Sequence, residues 1–372
     1  MTDILISMSP VTLFQGVYVL LVSITGIPAN LLSIYVLCFR PCGMSKTTVI
    51  YLVSLAVVDT LFLVLGGLMD VILSLLHHPT IHYSIPLCGI ITFNEYWTLF
   101  SSQWIVSAFT LERYIIMRND RLRRRFSQPR VALSVVLVVV VLSQLVSIPG
   151  YWLYEPKSIK DLHKVWGNYS HHPVPYQCLY HNIPVSKVVV WVHIILSGFV
   201  PMTITIFFSI LIAFHFKKKA GVFHDSQSTI FSITRARLRR SFRVQVSVAV
   251  STVVLTLPRY VTYTLLGTDR RISEQQRQNP EDPVNIAASV GLMLQWLDLV
   301  INFCLYCFAS SAFRNESSAL LRCGWAKQTR KNVVHPLHRH AVLGQRASHE
   351  GSVKERGMAQ GKGTVWLVNE AN

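Results

Sequence analysis

The chain has 372 residues, of which 51% are apolar and 14% charged, with a formal net charge of +17. Soluble domains carry about 25% charged residues. Here the charges gather in short blocks between long apolar runs, which excludes an ordinary water-soluble globule and predicts a chain that crosses a membrane many times. Basic residues flank the runs, which argues against a nucleic-acid partner.

Residues 1–12 are expected to be a short extracellular N-terminus. They show no basic n-region and no small-residue cleavage site, so the first apolar run should act as a signal anchor. Seven runs follow within residues 13–308: Leu13–Phe39, Val49–Leu76, Cys88–Met117, Val131–Tyr154, Val188–Phe216, Val244–Leu266 and Val284–Phe308. Each exceeds the roughly 20 residues that a helix needs to cross the hydrocarbon core. The alternating polarity of barrel strands is absent. The predicted fold is an all-α membrane protein, a seven-transmembrane helix bundle. Residues 309–322, with Phe313, Leu320 and Leu321 at helical spacing among basic residues, predict a short amphipathic helix lying on the membrane surface. Residues 323–372 read as a disordered, basic cytoplasmic tail.

Of the 35 Lys and Arg residues, 26 lie on the C-terminal side of the membrane and seven on the other. The positive-inside rule therefore puts the C-terminus in the cytoplasm and the N-terminus outside. Cys88 and Cys178 then both face an oxidising compartment, where a disulfide can form and persist; two separate thiols are the alternative. Asn168 heads a glycosylation sequon on the same side, whereas the Asn315 sequon is cytoplasmic and would not be used. Cys323, at the end of the surface helix, is a candidate for palmitoylation.

Polar residues inside the runs are the informative ones, since ionisable groups within a membrane are costly and usually functional. Glu112 and Arg113 stand together at the inner end of the third run, although long side chains there can also simply snorkel to the headgroups. Asp59 lies about 12 residues into the second run, near mid-membrane at about 1.5 Å per residue. Asp298 and Asn302 share a helix face, and Asn30 and Ser102 reach the same depth. Oxygen ligands of this kind suit a hard cation, two carboxylates can share a proton, and a hydrated structural network is the plainer alternative. Glu95 and Arg259 form an acid and a base in the outer half, suited to the ammonium and carboxylate of an amino acid. Trp97, Tyr260, Tyr263, Trp191 and Trp296 are candidate aromatic walls. The plainer alternative pairs Glu95 with Arg259.

Taken in order, Asn30 in "GIPANLL", Asp59 in "SLAVVD", Cys88 and Cys178, "ERY" at 112–114, Pro201, Pro258 and "NFCLY" at 302–306 resemble the rhodopsin-like (class A) G-protein-coupled receptors. The strings "VSIPGYW", "VVVWVH", "LPRY" and "INFCLYCFASSAFR" are similar to an orphan-type branch that senses aromatic amino acids such as L-tryptophan and L-phenylalanine. The resemblance implies a plasma-membrane, multi-pass receptor that passes a small-molecule signal to a heterotrimeric G protein. It implies a switch built from Glu112, Arg113, Tyr114, Asn302 and Tyr306, and a sodium ion as allosteric modulator among Asn30, Asp59, Ser102 and Asp298. No other cofactor or metal is expected. Ligand contacts fall on Glu95, Arg259, Trp97, Tyr263 and Trp296.

The chain departs from that pattern. Thr256 stands where a tryptophan is usual before Pro258, Phe303 replaces a proline, Ser209 a tyrosine and Asp120 a proline, and the fourth run lacks its tryptophan. A non-coupling scaffold is therefore an alternative. A transporter or channel would call for inverted repeats or charges along a through-path. The spans show no HExxH pattern, so no enzyme is expected.

Overall fold

A computed structural model describes residues 10–69, 85–118, 120–158, 176–180, 183–222, 229–268 and 281–322. The bundle lies in a unit formed by Met1–Ser317, and Ser318–Asn372 form a second unit. Among the described residues, six helices are long and apolar enough to cross a membrane. The first span is Pro10–Phe39. The second is Lys46–Phe62, continued by a π-helical turn at Leu63–Leu68. The fourth is Pro129–Ser147, ending in a 3₁₀ turn at Ile148–Trp152. The fifth runs from Pro184 to Val222 through a π turn at Ile194–Phe199. The sixth lies within Thr229–Thr268 and the seventh is Pro283–Ala309.

The third span, Ile85–Arg118, is a single helix of 34 residues, about 50 Å long and ample for crossing. It is less apolar than the rest because it is central. It packs against the second, fourth, fifth and sixth spans, and Thr92, Thr98, Ser101, Ser102, Gln103, Ser107, Thr110, Glu112 and Arg113 are all buried along it. The fourth span is its opposite: Leu133, Leu137, Val138, Val141, Leu142 and Leu145 are exposed, an apolar face suited to lipid rather than water.

Local chemistry sets the ends. Ser45 caps the second span, its Oγ accepting the Thr48 N–H at 3.2 Å. Asp282 caps the seventh, accepting from Val284 N–H at 3.0 Å. Each cap satisfies a helix-end donor that would otherwise be orphaned. Outside the membrane, β1 (Tyr154–Ser158) and β2 (Tyr176–Tyr180) pair antiparallel, with Pro156 opposite Cys178. The sequence pattern gave no sign of this ribbon. A seven-residue helix, Asp120–Phe126, links the third and fourth spans. After Ser310 the chain turns into a further helix at Ser311–Leu321, in the position expected for the surface helix.

Candidate functional site

At the inner end of the third span, Arg113 Nη2 meets Glu112 Oε2 at 3.0 Å, and both side chains are buried. The same nitrogen donates to Thr47 Oγ1 at 2.8 Å and to Ser45 Oγ at 3.4 Å. The guanidinium thus rests on the hydroxyls that cap the second span. Its carbon lies 5.1 Å from the Phe109 ring centre, and Phe109 stacks on Tyr51 at 5.2 Å. Glu112 Oε1 and Arg113 Nε have no hydrogen-bond partner among the described residues. A buried ion pair only partly satisfied in this way gains little net stability, so it opens at little cost. Beside it, Gln245 Nε2 of the sixth span donates to Thr110 Oγ1 at 3.1 Å. A neutral, buried hydrogen bond therefore ties the third span to the sixth.

Near mid-membrane, Asp59 is fully buried and both its oxygens are engaged. Oδ1 accepts from Ser102 Oγ at 3.0 Å and Oδ2 from Asn302 Nδ2 at 3.0 Å. Asn302 Nδ2 also reaches the Asp298 carbonyl at 3.4 Å, and Thr252 Oγ1 donates to Asp298 Oδ1 at 3.3 Å. Asn30 does not bond Asp59 directly; its Nδ2 holds the Leu299 carbonyl at 3.0 Å. Five spans are joined through these few groups. Asn30 Oδ1, Ser101 Oγ, Asn302 Oδ1 and Tyr306 Oη are buried without a hydrogen-bond partner among the described residues. Of these, Asn302 and Tyr306 lie beside the carboxylates of Asp59 and Asp298, oxygens of a kind that suits a hard cation; water is the other natural occupant.

Between these levels lies a joint at Pro201. Proline lacks an N–H, and the π turn before it shifts the ladder. The Leu196 carbonyl is taken by Trp104 Nε1 of the third span at 2.8 Å, and the Ser197 carbonyl by Tyr260 Oη of the sixth at 3.3 Å. Ser107 Oγ lies 2.8 Å from the Pro201 carbonyl and 2.9 Å from Thr205 Oγ1. Backbone groups freed in the fifth span are thus recovered by side chains of two others. Gly198 allows the fit, since a Cβ there would lie 2.5 Å from the Tyr260 ring.

In the outer half, the Arg259 guanidinium carbon stands 4.5 Å over the Tyr263 ring. Tyr263 and Tyr154 share a side-chain hydrogen bond, and Tyr154 and Tyr96 both lie within electrostatic reach of Glu95 and Arg259. Glu95 lies against Gly66 of the second span's π turn, where a Cβ would come within 3.2 Å of its Oε1. Tyr96 packs on His193 with ring centres 4.0 Å apart. An acid, a base and several phenols are therefore gathered at one level.

A family model described as 7 transmembrane receptor (rhodopsin family) matches residues 29–306. The chain belongs to that family. Melanin-concentrating hormone receptor 1 of Sus scrofa is 32% identical over 105 residues, 28% of this chain and 29% of the relative. Thyrotropin-releasing hormone receptor of Gallus gallus is 39% identical over 97 residues, 26% and 24% of the two chains. Chemerin-like receptor 2 of Mus musculus is 24% identical over 149 residues, 40% and 41% of the two. The chain thus matches less than half the length of each of these curated relatives.

For this rhodopsin-family chain, a multi-pass membrane protein, the departures have structural answers. Phe303, in place of proline, keeps its N–H, so the seventh span stays unbroken; its ring meets Phe313 edge-on with centres 5.8 Å apart. Tyr306 is fully buried against the same Phe313, at 5.6 Å. Thr256 is buried and bonds within its own helix, to the Thr252 carbonyl at 2.7 Å. Ser209 has a buried hydroxyl with no partner among the described residues. Side chains at Asp120 and Cys178 lie outside the described residues, as do Asn168 and Cys323 altogether. Cys88 is disulfide-bonded.

The candidate aromatic walls separate. Tyr263 flanks Arg259. Trp296 packs instead into an apolar cluster with Val22, Phe62, Leu63 and Leu299, on the side of the first and second spans. Trp97 is buried, its Nε1 donating to Asn94 Oδ1 one turn earlier at 2.9 Å. Tyr114 is half-buried, 5.1 Å from Phe208, and accepts from Arg118. Sequence reasoning missed Thr252, Gln245, Trp104 and Ser107. A buried polar residue in a membrane helix was the available signal, but it does not say which neighbour it meets.

Proposed function

We propose that the chain is a plasma-membrane receptor that couples an extracellular ligand to a heterotrimeric G protein. The observation that carries this is the Glu112–Arg113 pair, buried at the inner end of the central helix and resting on the Ser45 and Thr47 hydroxyls. Outward movement of the sixth span breaks the Gln245–Thr110 bond, opens the inner face and frees Arg113 to meet the G protein. Asp59, Ser102, Asp298 and Asn302 form the network whose rearrangement links ligand to this movement. If it holds a sodium ion, Asp59 and Ser102 are the residues to ligate it, and the ion's charge would favour the resting arrangement. Cys88 is assigned Cys178 as its partner, Asn168 a glycan and Cys323 a palmitoyl group.

The ligand is assigned to the outer cluster. Glu95 takes an ammonium, Arg259 a carboxylate, and Tyr263 an aromatic face. This favours a small aromatic amino acid, L-tryptophan or L-phenylalanine. The relatives supply a second reading, because two of them are named for the hormones they receive. The test is second-messenger output and nucleotide exchange in cells and membranes expressing the full chain, with both amino acids as probes. The expected result is a response lost in Arg259→Ala and Arg113→Ala at matched surface level. A basal signal removed by Arg113→Ala but indifferent to either amino acid would keep the coupling and move the ligand to a hormone of another class. Transport of solute that survives Arg113→Ala would overturn the receptor reading.

A further inference from the structure

The seventh span turns one face to the bundle interior, and Ala288, Gly291, Gln295, Asp298 and Asn302 recur along it. Gln295 is the polar member of that face that the sites above do not use. It is 4% exposed, and among the described residues its amide has no hydrogen-bond partner. Its neighbours fix its rotation: Trp296 packs toward the first and second spans, and Asp298 meets Thr252 of the sixth at 3.3 Å. Two bonds to Asp59 fix its height. Asn302, on one Asp59 oxygen, lies seven residues inward of Gln295; Ser102, on the other, lies seven residues inward of Glu95. Seven residues are about 10 Å of helix, so Gln295 and Glu95 stand at one level of the bundle.

Just outward, Gly291 lets the sixth and seventh spans touch, since a Cβ there would lie 3.0 Å from the Arg259 Cα. Gln295 therefore lies about one helical turn inward of Arg259. Thr256, on the sixth span at this depth, turns its hydroxyl back to the Thr252 carbonyl at 2.7 Å. It fills far less of the interior than the tryptophan usual at that position.

An amide buried without a partner is costly. Glu95 and Arg259 already supply the charges that an ammonium and a carboxylate prefer, so the neutral amide is better matched to a neutral group. The part of an aromatic amino acid that those two leave unread is its ring. A phenyl ring offers no hydrogen bond, whereas an indole N–H or a phenol O–H is a donor that an amide oxygen accepts. A buried acceptor of this kind rejects the analogue that lacks the donor, because it is then left unpaired itself.

We propose that Gln295 selects the ligand: its Oε1 accepts the ring N–H or O–H of an aromatic amino acid, while Glu95 and Arg259 hold the ammonium and the carboxylate. This rests on the aromatic amino-acid reading given under the proposed function.

The test measures nucleotide exchange in membranes expressing the full chain, with two probes of one shape. These are L-tryptophan and benzothienylalanine, which has sulfur in place of the ring N–H. The parent chain should respond to tryptophan at about tenfold lower concentration than to the sulfur analogue. Gln295→Met, which keeps the length of the side chain but removes the acceptor, should weaken tryptophan alone and bring the two probes together. Each ratio is taken within one variant, so surface level cancels. A ratio that persists in Gln295→Met overturns the assignment and leaves the amide to water. Equal weakening of both probes overturns it as well, since Gln295 would then only shape the site. Equal potency of the two probes on the parent chain removes the selector role and leaves the amino-acid reading standing. Silence of the parent toward both probes, beside a basal signal that Arg113→Ala removes, would sink the amino-acid reading and the selector role together.

Discussion

The third and fourth spans are neighbours in sequence and in space, and they are built on opposite plans. The third buries a polar side chain on nearly every turn from Thr92 to Arg113. The fourth offers lipid a face of leucine and valine from Leu137 to Val146, and its buried positions are the small or modest Ala132, Val136, Ser143 and Ser147. A polar group in hydrocarbon is tolerated only when a partner meets it. The third span therefore requires its neighbours, and they must hold specific positions to satisfy it. The fourth requires only a surface to lean on. Position-specific hydrogen bonds can be exchanged between two arrangements, whereas lipid contact is much the same in any orientation. Exchangeable, position-specific contacts accordingly belong to the third span and its partners.

That contrast can be broken at graded points. The largest effect is expected for Arg113→Ala, which leaves Glu112 a buried, uncompensated carboxylate; nucleotide exchange should fall at least tenfold. Glu112→Gln, which removes the ion pair but leaves Arg113 in place, should instead raise basal exchange. Next comes Asp59→Ala. It orphans Ser102 Oγ and Asn302 Nδ2, each costing about 1–3 kcal/mol when buried unpaired. A thermal-shift assay should show a clear fall in melting temperature, together with reduced agonist efficacy. Asp59→Asn, which retains an acceptor, should recover part of the stability.

Gln245→Leu removes the neutral tie to Thr110. A bond of this kind is worth about 1 kcal/mol, roughly fivefold in an equilibrium, so basal exchange should rise several-fold without ligand. An unchanged basal rate would mean that this bond does not hold the resting state. The smallest effect is assigned to the fourth span: Leu137→Ala should shift stability by less than about 0.5 kcal/mol, as expected for a surface position. A loss matching that of Asp59→Ala would show that the exposed face is covered by another protein rather than by lipid.

The bundle was legible in the sequence because apolar length is a strong signal, and polar residues stood out against it. Asp59 and Ser102 were grouped by depth and Asn302 by the helix face it shares with Asp298, and the structure joins Asp59 to both Ser102 and Asn302 by hydrogen bonds. Depth does not fix rotation about a helix axis. Trp296 was therefore placed at a plausible height, but its ring packs toward the first two spans and Phe62. Thr252 lay hidden for the same reason, since its bond to Asp298 joins two helices whose relative turn no single-helix pattern encodes. The ribbon at Tyr154–Tyr180 and the basic loop helix depend on what the adjoining spans hold in place, so local periodicity was silent about both.

The π turn of the fifth span carries a consequence for reading any side-chain map of this receptor. A π turn accommodates about one extra residue relative to an α-helix, and one residue is about 100° of rotation. Outward of Ile194–Phe199 in the fifth span, each position of Pro184–His193 faces a direction that α-helical counting from Pro201 assigns to its neighbour. A mutagenesis survey that chose positions there by α-helical counting would therefore probe lipid where it meant to probe the bundle interior.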